Sequence, residues 1–406
     1  MNKLRFDGPW ANRPRDVANL ARLGAKELER QLNWQVVPIT RDWTDWTDSP
    51  ILYVSSHIPL KFTDEQVTKV RKFVQAGGLL YTQADGSGIP ATRSFEDLAK
   101  KLFPDYEMQD LPDDHEIYSI HFKPSPRPRL RYVTNGVRVL MVHSSADLSQ
   151  HWQLRQEKTK RNLYEFGINL FLYASGKADL KNRLASPVIP AQAAPGGGRL
   201  KVARVKYAGA WDPEPMAWER MARYFQRETD VAADVTAIDM DQLDSAAASG
   251  AGVAHWTGAA AHTATGREIA AARKFVEGGG VLLVDSAGGG GEFAESARAA
   301  RAAIAPGAKV GSVSVDHPIM TGGGQTGTED LSRIVVRPFV RARGGASNAG
   351  RLEIVRLGKG AILFSSLDLT HGLLGASTWG IWGYDPAYAS ALVKNILIWQ
   401  AMGIKD

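Results

Sequence analysis

An internal repeat constrains the fold of this chain more than any other feature of its sequence. The segment Arg71–Gly78 (RKFVQAGG) reads like Arg273–Gly280 (RKFVEGGG), at an offset of 202 residues. Asp114-His115 returns as Asp316-His317 at the same offset, and the aromatic-x-Gly-x-Trp motif that ends at Trp10 returns at Trp211, 201 residues later. A nearly constant offset over separate segments indicates two copies of one domain.

The register of the repeat then changes. Ser144–Leu148 matches Ser365–Leu369 at an offset of 221 residues, and Asn169–Tyr173 matches Asn395–Trp399 at an offset of 226. The larger offsets indicate that the second copy contains an insertion.

The boundaries of the two copies follow from composition. We expect the inserted residues in a Gly-rich segment, 321–329, and in a hairpin-like segment, 339–351. Residues 186–199 are rich in Pro, Ala and Gly, which is typical of a linker. The predicted domains are therefore residues 1–185 and 200–406, and we expect them to pack as an intramolecular pseudo-dimer.

Strand-like and helix-like patterns alternate within each copy. Ile51–Ser55 is a continuous apolar run, as in a buried parallel strand. Thr63–Gln66 has the form of a capping box, and the helix that follows it ends at Gly77-Gly78. A strand over Leu79–Thr82 comes next. This alternation predicts two tandem α/β domains, each a flavodoxin-like three-layer sandwich with a mainly parallel sheet.

Composition excludes several classes of protein. The 406 residues contain no Cys, so a Cys nucleophile and thiolate metal sites are excluded. The 49 basic and 43 acidic residues are interleaved, so we expect no specific nucleic-acid partner. No apolar run reaches about 18 residues, so no transmembrane segment is predicted. The first predicted strand directly follows Met1, which suggests a cytoplasmic protein, or an exported one if a signal peptide was removed.

The order of these motifs resembles the class I glutamine-amidotransferase-like superfamily. The matching segments are Arg273–Val284, Asp316–Ile319 and Gly358–Ser366, and in them the second copy is similar to trehalose-utilisation (ThuA-like) domains. With the opening aromatic-x-Gly-x-Trp motif, the whole arrangement is identified as the bacterial domain-of-unknown-function family 4159. The resemblance implies that a nucleophilic Cys would stand in the turn after a central strand.

This chain departs from the superfamily in that turn. The turns read Gln83–Gly88 in the first copy and Asp285–Gly289 in the second, and neither contains Cys. Ser87 and Ser286 are the possible substitutes, but the Gly-x-Ser-x-Gly elbow is absent and a flexible Gly/Ser turn explains both residues. We therefore expect a pseudoenzyme that binds a ligand or acts as a scaffold. The alternative, implied by the resemblance to ThuA-like domains, is a carbohydrate-related enzyme or sensor.

Open α/β sheets bind ligands beyond the carboxyl ends of their strands. Applied to both copies, and with the conspicuous tryptophans added, this rule gives the following ligand-binding candidates: Trp10, His57, Asp85, Asp147, Trp211, Trp256, His262, Asp285, Asp368, His371 and Trp379. We expect a small molecule, possibly a sugar, or a protein as the partner. No spacing typical of a metal or cofactor site occurs, so neither is predicted.

Structural alternatives exist for several of these candidates. Asp147 and Asp368 share a Ser-Ser-x-Asp-Leu context, in which an Asp can cap the following turn. At Asp114-His115, and at its repeat, we expect a turn in which the Asp accepts backbone amides. Trp379 lies in a Gly-rich loop and can stack on a ligand, cover the core or lie between the copies.

Overall fold

The protein forms two α/β units, as the repeat predicts. The computed structural model describes residues 1–177, 186–345 and 352–403. The first unit comprises Met1–Val188 together with Ala376–Gly380, and the second comprises Ile189–Gly375 with Ile381–Asp406. Each unit contains one seven-stranded sheet flanked by helices, so the predicted fold class is confirmed.

The two sheets have the same strand order. The first sheet consists of β1 (Asn2–Arg5), β2 (Gln35–Pro38), β3 (Ile51–Ser56), β4 (Leu79–Ala84), β5 (Gln109–Asp110), β6 (Arg131–Thr134) and β7 (Val139–Ser144). The second consists of β8 (Arg199–Lys206), β9 (Ala232–Asp239), β10 (Ala251–Gly258), β11 (Val281–Ser286), β12 (Gly311–Ser312), β13 (Glu353–Leu357) and β14 (Gly360–Ser365). Their orders are β2-β1-β3-β4-β7-β6-β5 and β9-β8-β10-β11-β14-β13-β12.

Helices connect most of the strands. Those of the first unit are α1 (Asp16–Leu28), α2 (Asp64–Gln75), α3 (Ile89–Leu102), α4 (Leu148–Gln153) and α5 (Arg161–Ala174). Those of the second are α6 (Ala217–Thr229), α7 (Leu243–Ala248), α8 (Gly266–Glu277), α9 (Gly291–Ile304), α10 (Pro318–Thr321), α11 (Pro338–Ala342), α12 (Thr370–Leu373) and α13 (Pro386–Ala401). Short 3-10 turns occur at Trp43–Trp46, Asp85–Ser87, Glu116–Tyr118, Met240–Gln242 and Gly322–Gly324.

Strand direction defines where a ligand can bind. Five strands of each sheet are parallel, and the remaining two form antiparallel pairs at one side. In the first unit the chain leaves β1 to form β2 on one side and returns to β3 on the other. The crevice beyond β1 and β3 is thus the topological switch point, and β8 with β10 forms its counterpart. We call the side of each sheet where the parallel strands end its carboxyl edge.

The helices after β3 and β10 form as the sequence predicts. The Thr63 hydroxyl accepts the amide of Gln66, whose side chain accepts the amide of Thr63, and Thr265 with Glu268 repeats this capping box. Helix α2 buries Val67, Val70, Phe73 and Val74. Gly77 follows it with a φ of 104°, a conformation that favours glycine.

Other details differ from the sequence analysis. The antiparallel strands β5, β6, β12 and β13 were not predicted. Of these, β5 and β12 contain only two residues each. Pro338–Ala342 is helical where a hairpin was expected, because Pro338 stands at the first helical position. Residues 346–351 of that segment lie outside the described residues. In the predicted linker, the carbonyls of Ile189 and Ala193 accept hydrogen bonds from α6.

Candidate ligand-binding sites at the carboxyl edges

One buried carboxylate connects two turns in each unit. Asp147 accepts the amides of Gly86, at 2.7 Å, and Gln150, at 3.0 Å. Asp368 accepts the amide of Gly288, at 2.9 Å, and those of His371 and Gly372, at 3.0 and 3.1 Å. The capping alternative for both Asp residues is therefore confirmed. Their contact with a ligand remains a prediction.

In the first unit, a polar network extends from this carboxylate. Gln83 Nε2 donates to Asp85 Oδ1 at 2.9 Å and to Ser149 Oγ at 2.6 Å. The guanidinium of Arg13 forms an ion pair of 2.6 Å with Asp147. Asp85 and Asp147 are buried, whereas Arg13 is half-buried. The network therefore consists of buried carboxylates and one cation that reaches solvent.

Asn12 connects this network to an exposed histidine. Its Nδ2 lies 3.1 Å from Asp85 Oδ2 and 2.7 Å from His57 Nδ1. Because a carboxylate only accepts, the amide nitrogen of Asn12 must face Asp85, and it therefore also donates to His57. The proton of neutral His57 then lies on Nε2. Since His57 is exposed and Asn12 half-buried, this edge offers accessible donors and acceptors.

An ion pair lies below the switch point of the first unit. Lys3 Nζ is 2.8 Å from both oxygens of Asp16, at the start of α1, and both residues are buried. Burial raises the pKa of Asp16, and Lys3 opposes this rise. Lys3 also donates to the carbonyl of Arg13 at 2.6 Å, so the pair fixes the loop that carries Asn12 and Arg13.

In the second unit, the corresponding polar residues are buried. Asp285 accepts the amides of Leu369 and Thr370, at 2.8 and 2.9 Å, and lies 2.7 Å from His255 Nε2. The indole of Trp218 donates to His255 Nδ1 at 2.8 Å, so Nε2 carries the hydrogen donated to Asp285. Asp285 is fully buried, and each of its oxygens accepts hydrogen bonds from the protein.

The two carboxylates of the second unit differ in pKa. Burial would raise the pKa of Asp285, but hydrogen bonds from His255, Thr370 and Leu369 outweigh it, so the pKa is lowered. Burial, followed by the charge of Asp285, raises the pKa of Asp368 to about 7. Arg337, itself buried, opposes this rise. Proton binding near neutral pH is therefore expected at Asp368.

Three other candidates of the second unit, His371, Trp256 and His262, are also buried. His371 Nδ1 lies 3.0 Å from Glu214 Oε1, and neither side chain is exposed. Trp256 is fully buried, and His262 is 7% exposed, with its ring 4.1 Å from that of Tyr207. Apart from Trp211, which is half-buried, the candidate residues of the second unit thus lie in the interior.

The other three candidate tryptophans have different environments. Trp10 is half-buried, in the loop after β1. Trp211, also half-buried, lies under the guanidinium of Arg204, 5.1 Å from its ring centroid. Trp379, within the first unit, is only 6% exposed, and its indole donates to Glu116 at 2.9 Å. Of these, Trp10 is the one that lies in the same loop as Asn12 and Arg13.

Within the described residues (1–177, 186–345 and 352–403), neither Ser87 nor Ser286 forms a hydrogen bond with a histidine. Ser87 Oγ accepts the amide of Asp147 at 3.1 Å, and Ser286 donates to the carbonyl of Gly290. Ser87 has a φ of 59°, unusual for a residue with a side chain. The hydrogen bond from the amide of Asp147 to Ser87 Oγ stabilises this turn.

Several members of these networks were not among the residues predicted from the sequence. Asn12 and Arg13 lie in the loop after β1, and the rule on carboxyl ends would have selected them had it been applied to that strand. Gln83 was placed in the turn after the strand but lies within β4, and His255 lies within β10. Glu214 has no local signal, because its contact with His371 spans 157 residues.

The prediction for the turn at Asp114-His115 was wrong in one respect. The imidazole, not the carboxylate, accepts the amide two residues later. His115 Nδ1 accepts from Ile117 at 3.2 Å, and His317 Nδ1 accepts from Ile319 at 3.1 Å. The Nδ1 atom of His reaches the backbone as the Oδ1 atom of Asp does, and burial lowers the pKa of His115, which favours the neutral acceptor form.

Within the described residues, no group of three or more His, Asp or Glu side chains is arranged to hold a metal ion. No helix in the same part of the chain is long and apolar enough to cross a membrane.

Comparison with known proteins agrees with the duplicated fold. The model of a family described as Domain of unknown function (DUF4159) matches residues 1–175 and again residues 201–335. The chain belongs to this family and contains its domain in tandem. No curated protein matches the sequence.

Proposed function

We propose that the protein is a non-catalytic ligand-binding protein, in which the carboxyl edge of the first unit binds the ligand and the second unit is structural. One difference between the copies supports this proposal most strongly. Asn12, Arg13 and His57 reach solvent above a buried network, whereas Asp285, Asp368 and His371 are enclosed. A ligand can exchange hydrogen bonds only with groups that it can reach.

The absence of catalysis is proposed from the turn after the central strand. If both units derive from amidotransferase-like domains, that turn lost its Cys in both. Ser87 and Ser286 are engaged in hydrogen bonds that stabilise their turns. A serine nucleophile needs a base within hydrogen-bond reach, and in the part of the chain that the structure describes neither serine forms a hydrogen bond with a histidine.

A thermal-shift screen against sugars, nucleotides and dicarboxylic acids tests the proposal. At a hundred times its Kd, a ligand stabilises the native state by about 2.7 kcal/mol, which is measurable. We expect His57→Ala to abolish the shift. The matched control is His121→Ala, since His121 is also exposed but lies beyond β5. A shift that survives His57→Ala, or hydrolysis of a glutamine or ester substrate that Ser87→Ala abolishes, would refute the proposal.

The second candidate function is a carbohydrate-related enzyme or sensor of the trehalose-utilisation type. The half-buried Trp10 favours it, because it lies in the same loop as Asn12 and Arg13 and an aromatic ring can stack on a sugar. A shift given only by sugars and lost in Trp10→Ala would support this candidate. Turnover of the sugar would then separate an enzyme from a sensor.

A further inference from the structure

The outermost strands of the two sheets differ in how they are protected against pairing with another strand. In the part of the chain that the structure describes, β5 and β12 lie at one side of their sheets and contain two residues each. At the other side, β2 contains four residues and ends at Pro38, whereas β9 contains eight residues. Short strands and prolines prevent association between sheet edges, and β9 has neither protection.

The backbone of β9 presents a regular row of polar groups on its outer side. The amide of Ala232 donates to the carbonyl of Gly198 at 3.0 Å, and all eight residues pair with β8 without a bulge. Because the direction of hydrogen bonding alternates along a strand, Ala233, Val235 and Ala237 direct their amides and carbonyls away from β8. None of these six groups has a hydrogen-bond partner within the described residues.

The corresponding strand of the first unit shows a protected form of the same edge. The amide of Gln35 donates to the carbonyl of Met1, so Val36 and Pro38 are the residues of β2 that face outward. Proline has no N–H, which leaves the amide of Val36 as the one outward donor among the four residues of this strand. At the offset of 201 residues, Val36 corresponds to Ala237. The two copies thus share the strand but not its protection.

The charges of β9 do not oppose the approach of an identical strand. Asp234 lies 2.6 Å from Arg199, and Asp239 lies 3.7 Å from Lys206, so both acids of the strand are paired with cations of β8. Like charges directly opposite each other destabilise a strand pair, and paired acids reduce that repulsion. Without an unpaired charge, β9 does not select a strongly charged segment as its partner.

We propose that β9 pairs in antiparallel orientation with β9 of a second copy of this chain, about a twofold axis at Val235. Of the edges that the structure describes, β9 of another copy is the one that matches β9 over its whole length. Val235 then lies opposite its own copy and Ala233 opposite Ala237, so all six outward groups form hydrogen bonds. Asp234 lies opposite Thr236, so no acid of the strand faces the same acid of the other chain. Both chains contribute the same surface, as a twofold dimer requires.

Sedimentation equilibrium of the full chain over a range of concentrations tests the proposal. Because one strand per chain forms a small interface, we expect a reversible dimer with twice the 44.2 kDa mass of one chain. A chain that remains monomeric at every concentration would overturn the proposal, and would leave β9 to a segment of another protein. This inference concerns the second unit and does not depend on the ligand site proposed for the first.

Proline substitutions test whether the outer side of β9 forms the interface. Ala237→Pro removes an outward amide without removing a hydrogen bond to β8, and we expect it to weaken dimerisation at least about tenfold, or about 1.4 kcal/mol. The matched control is Val36→Pro, at the corresponding exposed position of β2, which should leave the dimer unchanged. Circular dichroism checks that both variants fold. A dimer that Ala237→Pro leaves intact, or that both variants weaken equally, would contradict the proposal.

A disulfide tests the position of the axis independently of the proline variant. The chain contains no Cys, so Val235→Cys introduces one thiol per chain. Opposite residues of a hydrogen-bonded antiparallel pair have Cα atoms about 5.5 Å apart, within the range that a disulfide spans. We expect mild oxidation to cross-link Val235→Cys into dimers on non-reducing gels, whereas the control Val36→Cys should not cross-link. Equal cross-linking of the two variants, or none at Val235→Cys, would reject this pairing of β9.

Discussion

A single substitution between the copies explains much of the difference between their carboxyl edges. Arg13 of the first copy corresponds to Glu214 of the second. In the first unit this position supplies the cation that pairs with Asp147. In the second unit it supplies a carboxylate that pairs with His371, and the cation near Asp368 is instead the buried Arg337. One polar network therefore stays open to solvent, while the other holds several acids in the interior.

The raised pKa of Asp368 predicts a pH-dependent stability. Its native pKa of about 7 lies above the ordinary value of 3.8, so the native state holds a proton that the unfolded state releases. As far as Asp368 is concerned, the free energy of unfolding should thus be highest below pH 4. It should fall by up to about 1.4 kcal/mol per pH unit as the pH rises towards 7. Urea unfolding between pH 4.5 and 8 measures this slope. We expect it to be smaller in Asp368→Asn, and parallel curves would contradict the assignment.

The contact between the end of one helix and a neighbouring strand is formed differently in the two units. This contact, the helix–strand joint, lies at the end of α2 in the first unit and at the end of α8 in the second. In the first unit, Arg138 donates to the carbonyls of Val74 and Gly78, at 2.6 and 3.0 Å, where α2 ends. In the second, a Cβ placed on Gly360 would lie 2.2 Å from the carbonyl oxygens of both Val276 and Gly280. These are the corresponding carbonyls, 202 residues later. Only a residue without a side chain allows so close an approach of the backbones.

This close approach predicts the effect of adding one methyl group. Gly360→Ala should lower the free energy of unfolding by about 1–3 kcal/mol or more, because the obstructing atoms are backbone and cannot rotate away. Gly266→Ala is the control, since a Cβ placed there meets nothing within 4 Å and the residue lies in the first turn of α8. Urea unfolding of both variants gives the comparison. Equal effects would mean that the joint relaxes freely.

At the scale of the whole molecule, duplication preserved the scaffold and changed what each copy exposes. Both sheets share one strand order, and the registers of their central strands correspond. Ile51 pairs with Leu79 as Val253 pairs with Val281. Function is carried by sites rather than by folds. The copies can therefore differ in role without differing in architecture.

Two buried groups, one in each unit, should affect stability oppositely as pH changes. Burial, together with the charge of Arg131, lowers the pKa of His143 in the first unit to about 4, below its ordinary value of 6.5. The native first unit thus loses stability as pH falls from about 6.5 towards 4, while Asp368 makes the second unit lose stability as pH rises towards 7. Hydrogen exchange at pH 5 and pH 8, corrected for intrinsic rates, can follow each unit separately. His143→Gln should reduce the acid sensitivity of the first unit, to which His115 also contributes. An unchanged acid sensitivity in this variant would contradict the account.

Much of the fold could be predicted because its signals are local or repeated. The capping boxes at Thr63 and Thr265 depend on residues three positions apart, and the buried strand Ile51–Ser56 is apolar over most of its length. The offset of 202 residues then required the second copy to share the architecture. The short strands β5 and β12 escaped prediction, because two residues carry no periodicity and pair only when a partner strand is near.

The sequence by itself determined the duplication, the α/β class and the regions in which polar residues gather. Only the tertiary structure decided which of those residues can meet a ligand. Gln83 contacts Ser149 across 66 residues, and Asp285 contacts Thr370 across 85, so these networks exist only after the sheet has assembled. Exposure is likewise a property of the packed chain: His57 and His371 are the same residue type, yet one lies in solvent and the other in the interior.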